Sequence, residues 1–404
     1  MVLEPWSKKA TDSNSKSTVC CIVYPPKNVF SWYDVSLLNL NSLNTVPNNV
    51  LITDHPPFRP LSTLRSAHLQ TLGAHFFRGR QPKYKAVKHT VPLFDGDRLV
   101  LHDDQPESWI TGDRAVILFH GLCGCHRSPY VARTAYKLNR RGIRTFRVDM
   151  RGFGDSSLIS RSHLHGGCYQ DAESVIKFVH RLTPLSKISL VGFSIGGNVI
   201  LKALGMWGDA TPDHVDSAIA VAPPIDLMHA SWNLRQGGNR IYESYFMRRL
   251  RSQLTMRRKR VKNLNDNQIN PLPSRLVHWD DRFTAPCWGY SGAREYYEDA
   301  SSCRQLDRVS VPTIILTSQD DPVVPFSMYN EFPMSAEIEL VSTKNGGHLG
   351  FIGANSKDLD RYWMDWRVCH WVMSMEDKFI PSPTKTRNSR RSRPRYRSLR
   401  PQGR

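Results

Sequence analysis

The chain has no apolar run long enough to span a bilayer. The longest near its start, Val19-Cys20-Cys21-Ile22-Val23-Tyr24, is six residues, against the roughly 20 that a membrane helix needs. It lacks the basic start and small-residue cleavage site of a secretory leader, so a cytoplasmic protein is expected. The eight cysteines are scattered. No pair stands at metal-ligand spacing with a second pair to match, and Cys123-Gly124-Cys125 is too tight for a C-x-x-C site, so reduced thiols are expected. The histidines show no paired ligand spacing either, which argues against a metal. No RRM, KH, zinc-finger or helix-turn-helix signature accompanies the net charge of +19, so specific nucleic-acid binding is not expected.

The excess charge is concentrated in two places. From Lys385 to Arg404 there are nine basic residues and no acid. This Ser-, Pro- and Arg-rich tail has almost nothing to bury. A second cluster runs from Arg248 to Lys262, through Arg249, Arg251, Arg257, Arg258, Lys259 and Arg260. It has three readings: contact with an acidic substrate, peripheral contact with an anionic membrane surface, or a solvated face. With 40% hydrophobic residues in 404, the rest suits one globular α/β core carrying an insertion.

The chain falls into three expected parts: a poorly ordered extension over 1–54, a folded domain over 55–376, and the basic tail over 377–404. Ser66 to Leu72 reads as a short helix. Tyr84–Pro92 and Arg98–Asp103, joined by Asp95-Gly96-Asp97, read as a hairpin with a D-G turn. Then strands and helices alternate. Ala115–Phe119 is a continuous apolar strand, and Arg144–Asp149, Lys187–Val191 and Ser217–Ala222 read as the strands that follow. Between them run helices from Ser128 to Arg141 (closed by Gly142), from Asp171 to Leu182, and from Asn198 onward. Such alternation implies a mostly parallel sheet with helices on both faces. Residues 225 to about 305 lose the strand rhythm and read as an inserted, mainly helical cap. Its Trp232, Tyr242, Tyr245, Phe246, Phe283 and Trp288 are candidates to shape a pocket, although most such aromatics serve ordinary packing. Strands Val311–Ser318 and Glu337–Val341 follow. A last helix, Asp360–Met375, packs Trp363, Trp366 and Trp371.

The chemistry is organised around Gly192-Phe193-Ser194-Ile195-Gly196. A strand, a sharp G-x-S-x-G turn and a helix form a nucleophile elbow, whose glycines clear space for a strained serine. Serine needs a base to take its proton, and the base needs a third group to hold its tautomer. Asp321, just past one later strand, and His348, just past the next, follow in the required order. Asp320 competes with Asp321 as the acid; Asp321 is preferred because Pro322-Val323-Val324-Pro325 fixes a turn directly behind it, a turn that Asp320 could cap. The backbone amides of Ile195 and Leu122 are the candidate oxyanion donors. His120 and His126 are read as loop-stabilising residues, and Cys123 and Cys125 as packing.

These residues carry a resemblance. With His68-Leu69-Gln70-Thr71-Leu72, His120-Gly121-Leu122-x-Gly124, Arg151-Gly152-x-Gly154-Asp155-Ser156, Asp281-x-Phe283-Thr284-Ala285, Tyr296-Tyr297, Asp320-Asp321-Pro322 and Gly346-Gly347-His348-x-Gly350-Phe351 in order, residues 56–376 resemble the α/β-hydrolase superfamily. More narrowly, the chain is similar to its YheT-like group of esterases and abhydrolase-domain lipases. The resemblance implies a cofactor-free serine esterase acting on short- or medium-chain acyl esters or glycerolipids. An acyltransferase would use the same triad. A binding protein on a hydrolase scaffold would need none of it.

Overall fold

The computed structural model describes residues 56–79, 85–266, 268–354 and 358–377, all within one unit, Leu51–Arg404. The expected N-terminal extension, and the basic tail from 378 onward, lie outside the described residues. Eight strands form one sheet: β1 (Val87–Pro92), β2 (Arg98–Asp104), β3 (Ala115–Phe119), β4 (Arg144–Asp149), β5 (Ile188–Phe193), β6 (Val215–Val221), β7 (Thr313–Ser318) and β8 (Ile338–Thr343). Their order is β1-β2-β4-β3-β5-β6-β7-β8. β2 runs antiparallel to both β1 and β4, and the other neighbours are parallel. The β1–β2 turn follows from Asp95-Gly96: Asp97 N donates to Asp95 Oδ1 at 3.1 Å, and Gly96 takes φ +76°, where glycine alone is unstrained.

Strands β3 to β7 are buried along their whole length, and their charged side chains are met by partners: Arg144 by Asp103, Arg147 by Asp104 and Asp216 by Arg114. Successive side chains point to opposite faces. Ala115, Ile117 and Phe119 of β3 therefore join one apolar cluster, while Val116 and Leu118 join another. The first cluster packs on helices α3 (Tyr169–Leu182) and α4 (Ile195–Trp207), through Val175, Ile176, Val179 and Val199. The second packs on α2 (Pro129–Asn139) and a C-terminal helix, Trp363–Asp377, through Val131, Leu138, Trp363, Val368 and Trp371.

Between β6 and β7 the described residues hold helices and no strand: α5 (Leu227–Asn233), α6 (Arg240–Arg260), α7 (Leu276–Trp279), a π-helical turn (Asp280–Thr284), α8 (Ala285–Cys287) and α9 (Ala293–Ala300) among them. The C-terminal helix is then α10. A further short helix, α1 (Ala67–Phe76), precedes the sheet; Ser66 caps it by accepting from Leu69 N. Among the described residues no helix is long and apolar enough to cross a membrane.

Candidate active site

The β5–α4 junction dictates the local geometry at Ser194. This serine takes φ 52° and ψ −123°, a costly conformation for a residue with a Cβ. It is held there by Ser194 N donating to Val221 O at 2.8 Å and by Gly197 N donating to Ser194 O at 2.8 Å. A Cβ at Gly192 would stand 2.4 Å from Gly196 O, and one at Gly196 would stand 2.6 Å from the carbonyls of Phe119 and His120. Both positions therefore exclude any other residue.

Ser194 Oγ lies 3.0 Å from His348 Nε2, and His348 Nδ1 lies 2.8 Å from Asp321 Oδ2. The carboxylate only accepts, so Nδ1 carries the proton and Nε2 is free to accept from the serine hydroxyl. Asp321 Oδ1 accepts from Val323 N at 2.8 Å and Val324 N at 2.9 Å, so the turn behind it fixes the carboxylate. Asp320 faces elsewhere. Its Oδ1 accepts from Gly347 N at 2.9 Å and its Oδ2 approaches Asn345 Nδ2 at 3.4 Å. It tethers the histidine loop and does not cap the Asp321 turn, because that turn's amides are already taken by Asp321.

A second support for His348 comes from α1. Thr71 Oγ1 donates to Ala67 O at 2.8 Å and accepts from His348 N at 2.9 Å. Buried Gln70 bridges the same loop: its Nε2 donates to Leu64 O and Ile352 O, and its Oε1 accepts from Ile352 N. Sequence patterning gave these two residues no role beyond membership of a short helix. Their only signal is their place in the His68–Leu72 motif.

The loop after β3 lies against the serine: a Cβ on Gly121 would be 3.2 Å from Ser194 Cβ. Gly121 N donates to Tyr130 Oη at 2.9 Å, and Gly124 N to Gly121 O at 2.9 Å. His120 Nε2 accepts from Met150 N at 3.1 Å, so its Nδ1 donates to Gly121 O at 2.8 Å. Burial holds that imidazole below its ordinary value. Burial also pushes the Cys123 thiol up to about 12 and raises that of Cys125, leaving neither as a ready thiolate.

The far side of this loop is anchored by a group that sequence spacing could not reveal. His102, His126, Asp149 and Asp155, from separate segments, place one ligand-type atom each within 4.8 Å of one another. Asp149 accepts from His126 N at 2.6 Å, His126 Nδ1 at 2.7 Å, His102 Nε2 at 3.1 Å and Asp155 N at 2.7 Å. Burial opposes its charge, yet the two imidazole donors outweigh that and hold the carboxyl well below the usual range. The two rings stack with centroids 3.5 Å apart. His102 Nε2 and His126 Nδ1 both close on the same oxygen, Asp149 Oδ2, so the two imidazoles clamp the carboxylate.

Ser194, Ile195 and Leu122 border a cavity of about 980 Å³, including its open mouth, walled mainly by aliphatic and aromatic side chains of the helical segment. Of the six aromatics expected to shape a pocket, Phe246 and Phe283 line it. Trp232 faces solvent, Tyr242 stacks on His68, Tyr245 meets His75 edge-on and Trp288 packs on His165. Helix phase explains the difference: the cavity-facing stripe of α6 is Phe246, Leu250, Gln253, Leu254 and Arg257, at helical spacing. Arg257 thus leaves the solvated face. It is buried, donating to the carbonyls of Ser157, Ser160 and Ser162 and to His163 Nδ1. Asp280, also on the cavity wall, accepts from Tyr297 Oη and Thr284 Oγ1 at 2.7 Å each, and burial pushes its carboxyl up to about 6. Asp281 accepts from Ala293 N and so tethers the start of α9.

A family model described as alpha/beta hydrolase fold matches residues 114–354. Similar proteins include YheT of Escherichia coli (strain K12), 28% identical over 321 residues that span 78% of this chain and 92% of YheT. A monoacylglycerol lipase of Saccharomyces cerevisiae is 26% identical over 319 residues, 74% of this chain and 69% of that protein. Phospholipase ABHD3 of Bos taurus is 29% identical over 244 residues, 59% of this chain and 58% of that protein. Among solved structures, Est1E from Butyrivibrio proteoclasticus aligns with a TM-score of 0.48 at 16% identity, over 72% of this chain and 99% of Est1E.

Proposed function

Because the chain belongs to the alpha/beta hydrolase family, and is similar to its YheT-like members, we propose that it is a serine carboxylesterase cleaving short- to medium-chain acyl esters, lipid esters included. The observation that carries the reading is the hydrogen-bonded series from Ser194 Oγ to His348 Nε2 and from His348 Nδ1 to Asp321, set at the rim of an apolar cavity. Ser194 attacks the ester carbonyl while His348 takes its proton. Asp321 holds the tautomer and stabilises the imidazolium. The Leu122 and Ile195 amides face the developing oxyanion, His348 returns the proton to the leaving alcohol, and water releases the acid by the same steps. The cavity wall favours an apolar acyl group, and the names of the lipase and phospholipase relatives agree with a lipid ester.

The test is turnover of a p-nitrophenyl ester series of rising acyl length, wild type beside Ser194→Ala. The expected result is a loss of about 10⁴-fold or more in kcat in a folded variant, with the preferred chain length measuring the cavity. A folded wild type that cleaves no ester, with or without an added alcohol as acyl acceptor, would sink the reading.

A further inference from the structure

The helices around the candidate site carry more apolar surface outward than a solvated cap requires. α5 turns Leu227, Ala230 and Leu234 to the cavity, yet its opposite side shows Met228 and Trp232, the latter 58% exposed. α1, whose Thr71 supports His348, presents Leu69 and Phe76 (74% exposed), followed by Phe77 (59%). At the start of α6 stands Ile241, 54% exposed. These elements adjoin one another. Asn239 Nδ2 bonds Asn233 at the end of α5. His68 Nδ1 meets Tyr242 Oη at 2.8 Å, joining α1 to α6, and His75 packs edge-on against Tyr245 one turn along. Leu69 and Ile241 are the immediate chain neighbours of that His68–Tyr242 pair. Apolar patches of this kind on a soluble surface mark an interaction site.

Charge selects the occupant. From residue 227 to 262 the only acid is Glu243, and that is buried, accepting from Leu276 N. Arg240, Arg248 and Arg249 are exposed on the same helix. Arg257 is buried and Arg258 is paired with Asp266, so neither counts toward an outward field. A two-fold contact with a second copy would set these arginines against their own mates, a like-charge juxtaposition that opposes association. An anionic surface meets no such conflict. Bulky apolar groups between arginines also match the interfacial region of a bilayer, where rings insert at headgroup depth and cations meet lipid phosphates.

We infer that the outer face of α1, α5 and the first half of α6 docks this protein on an anionic lipid surface. Delivery of an ester to Ser194 from that surface rests on the hydrolase reading; the docking does not. Flotation of the full chain with vesicles of phosphatidylcholine, alone or with equal phosphatidylglycerol, tests it. Expected is binding that needs phosphatidylglycerol and is weakened about tenfold or more by Phe76→Ser/Phe77→Ser and, independently, by Arg248→Glu/Arg249→Glu. Turnover of a water-soluble short-chain ester should stay unchanged in both variants, which also reports that they fold. Wild-type protein that fails to float, or floats equally well with both pairs replaced, would overturn the inference. So would a solution dimer that the Phe76→Ser/Phe77→Ser variant splits. Vesicle binding without ester turnover would leave docking standing and remove the hydrolase reading instead.

Discussion

Asp320 and Asp321 are neighbours in the chain with opposite tasks. Asp321 spends one oxygen on the turn amides and offers the other to His348, whereas Asp320 spends its charge on Gly347 N. Asp321→Asn should therefore keep the fold but present an amide where an acceptor is needed, reversing the His348 tautomer, and lower kcat by about 10²–10⁴-fold with KM little changed. Asp320→Asn retains an oxygen for Gly347 N and should cost no more than about tenfold. Steady-state kinetics of the two variants on one ester decide it. The opposite ranking would move the acid to Asp320.

At the scale of the element, α1 acts on the loop that follows β8. Its Thr71 and Gln70 hold the strand-to-helix loop that carries His348, a loop with positive φ at Gly347, Leu349 and Phe351. A loop in that conformation stays fixed only if its surroundings over-determine it. Thr71→Val keeps the shape and removes the acceptor of His348 N, and should cost about 1–3 kcal/mol of stability. It should also lower kcat about tenfold while sparing KM, with Thr71→Ser restoring both. Equal effects of Val and Ser would mean that α1 acts by packing alone.

Over the whole molecule, buried titratable groups set how stability varies with pH. Burial pushes His163 down to about 3 and His165 to about 4, so the unfolded chain, with histidines near 6.5, binds protons that the folded chain refuses. Their contribution is complete above about pH 6.5 and is lost as pH falls toward 3. Asp280 works in the other sense. Its folded value of about 6 exceeds the unfolded one, so its contribution is present below about pH 4 and is lost as pH rises through 6. Two histidines with larger displacements outweigh one carboxyl. The thermal midpoint should fall as pH drops from 7 to 4, less steeply in His165→Gln and more steeply in Asp280→Asn. A midpoint that rises toward pH 4 would refute the assignment.

By itself the sequence determined the class of the molecule: strands alternating with amphipathic helices, and the chain order of serine, acid and histidine. Those signals are local, because strand and helix periods are written in residues a few positions apart, and Gly192 of G-x-S-x-G answers to a clash with Gly196 in the same turn. Only the tertiary structure decided which of two adjacent aspartates meets His348. It also decided that α1 grips the histidine loop from more than 270 positions away, and that two histidines from separate segments clamp Asp149. The cavity wall and the burial of Arg257 belong with these. Helix phase around α6 is readable from sequence, but which side meets the cavity is set by where the chain returns. Such contacts join residues whose spacing carries no period, so their partners are fixed by packing rather than by pattern.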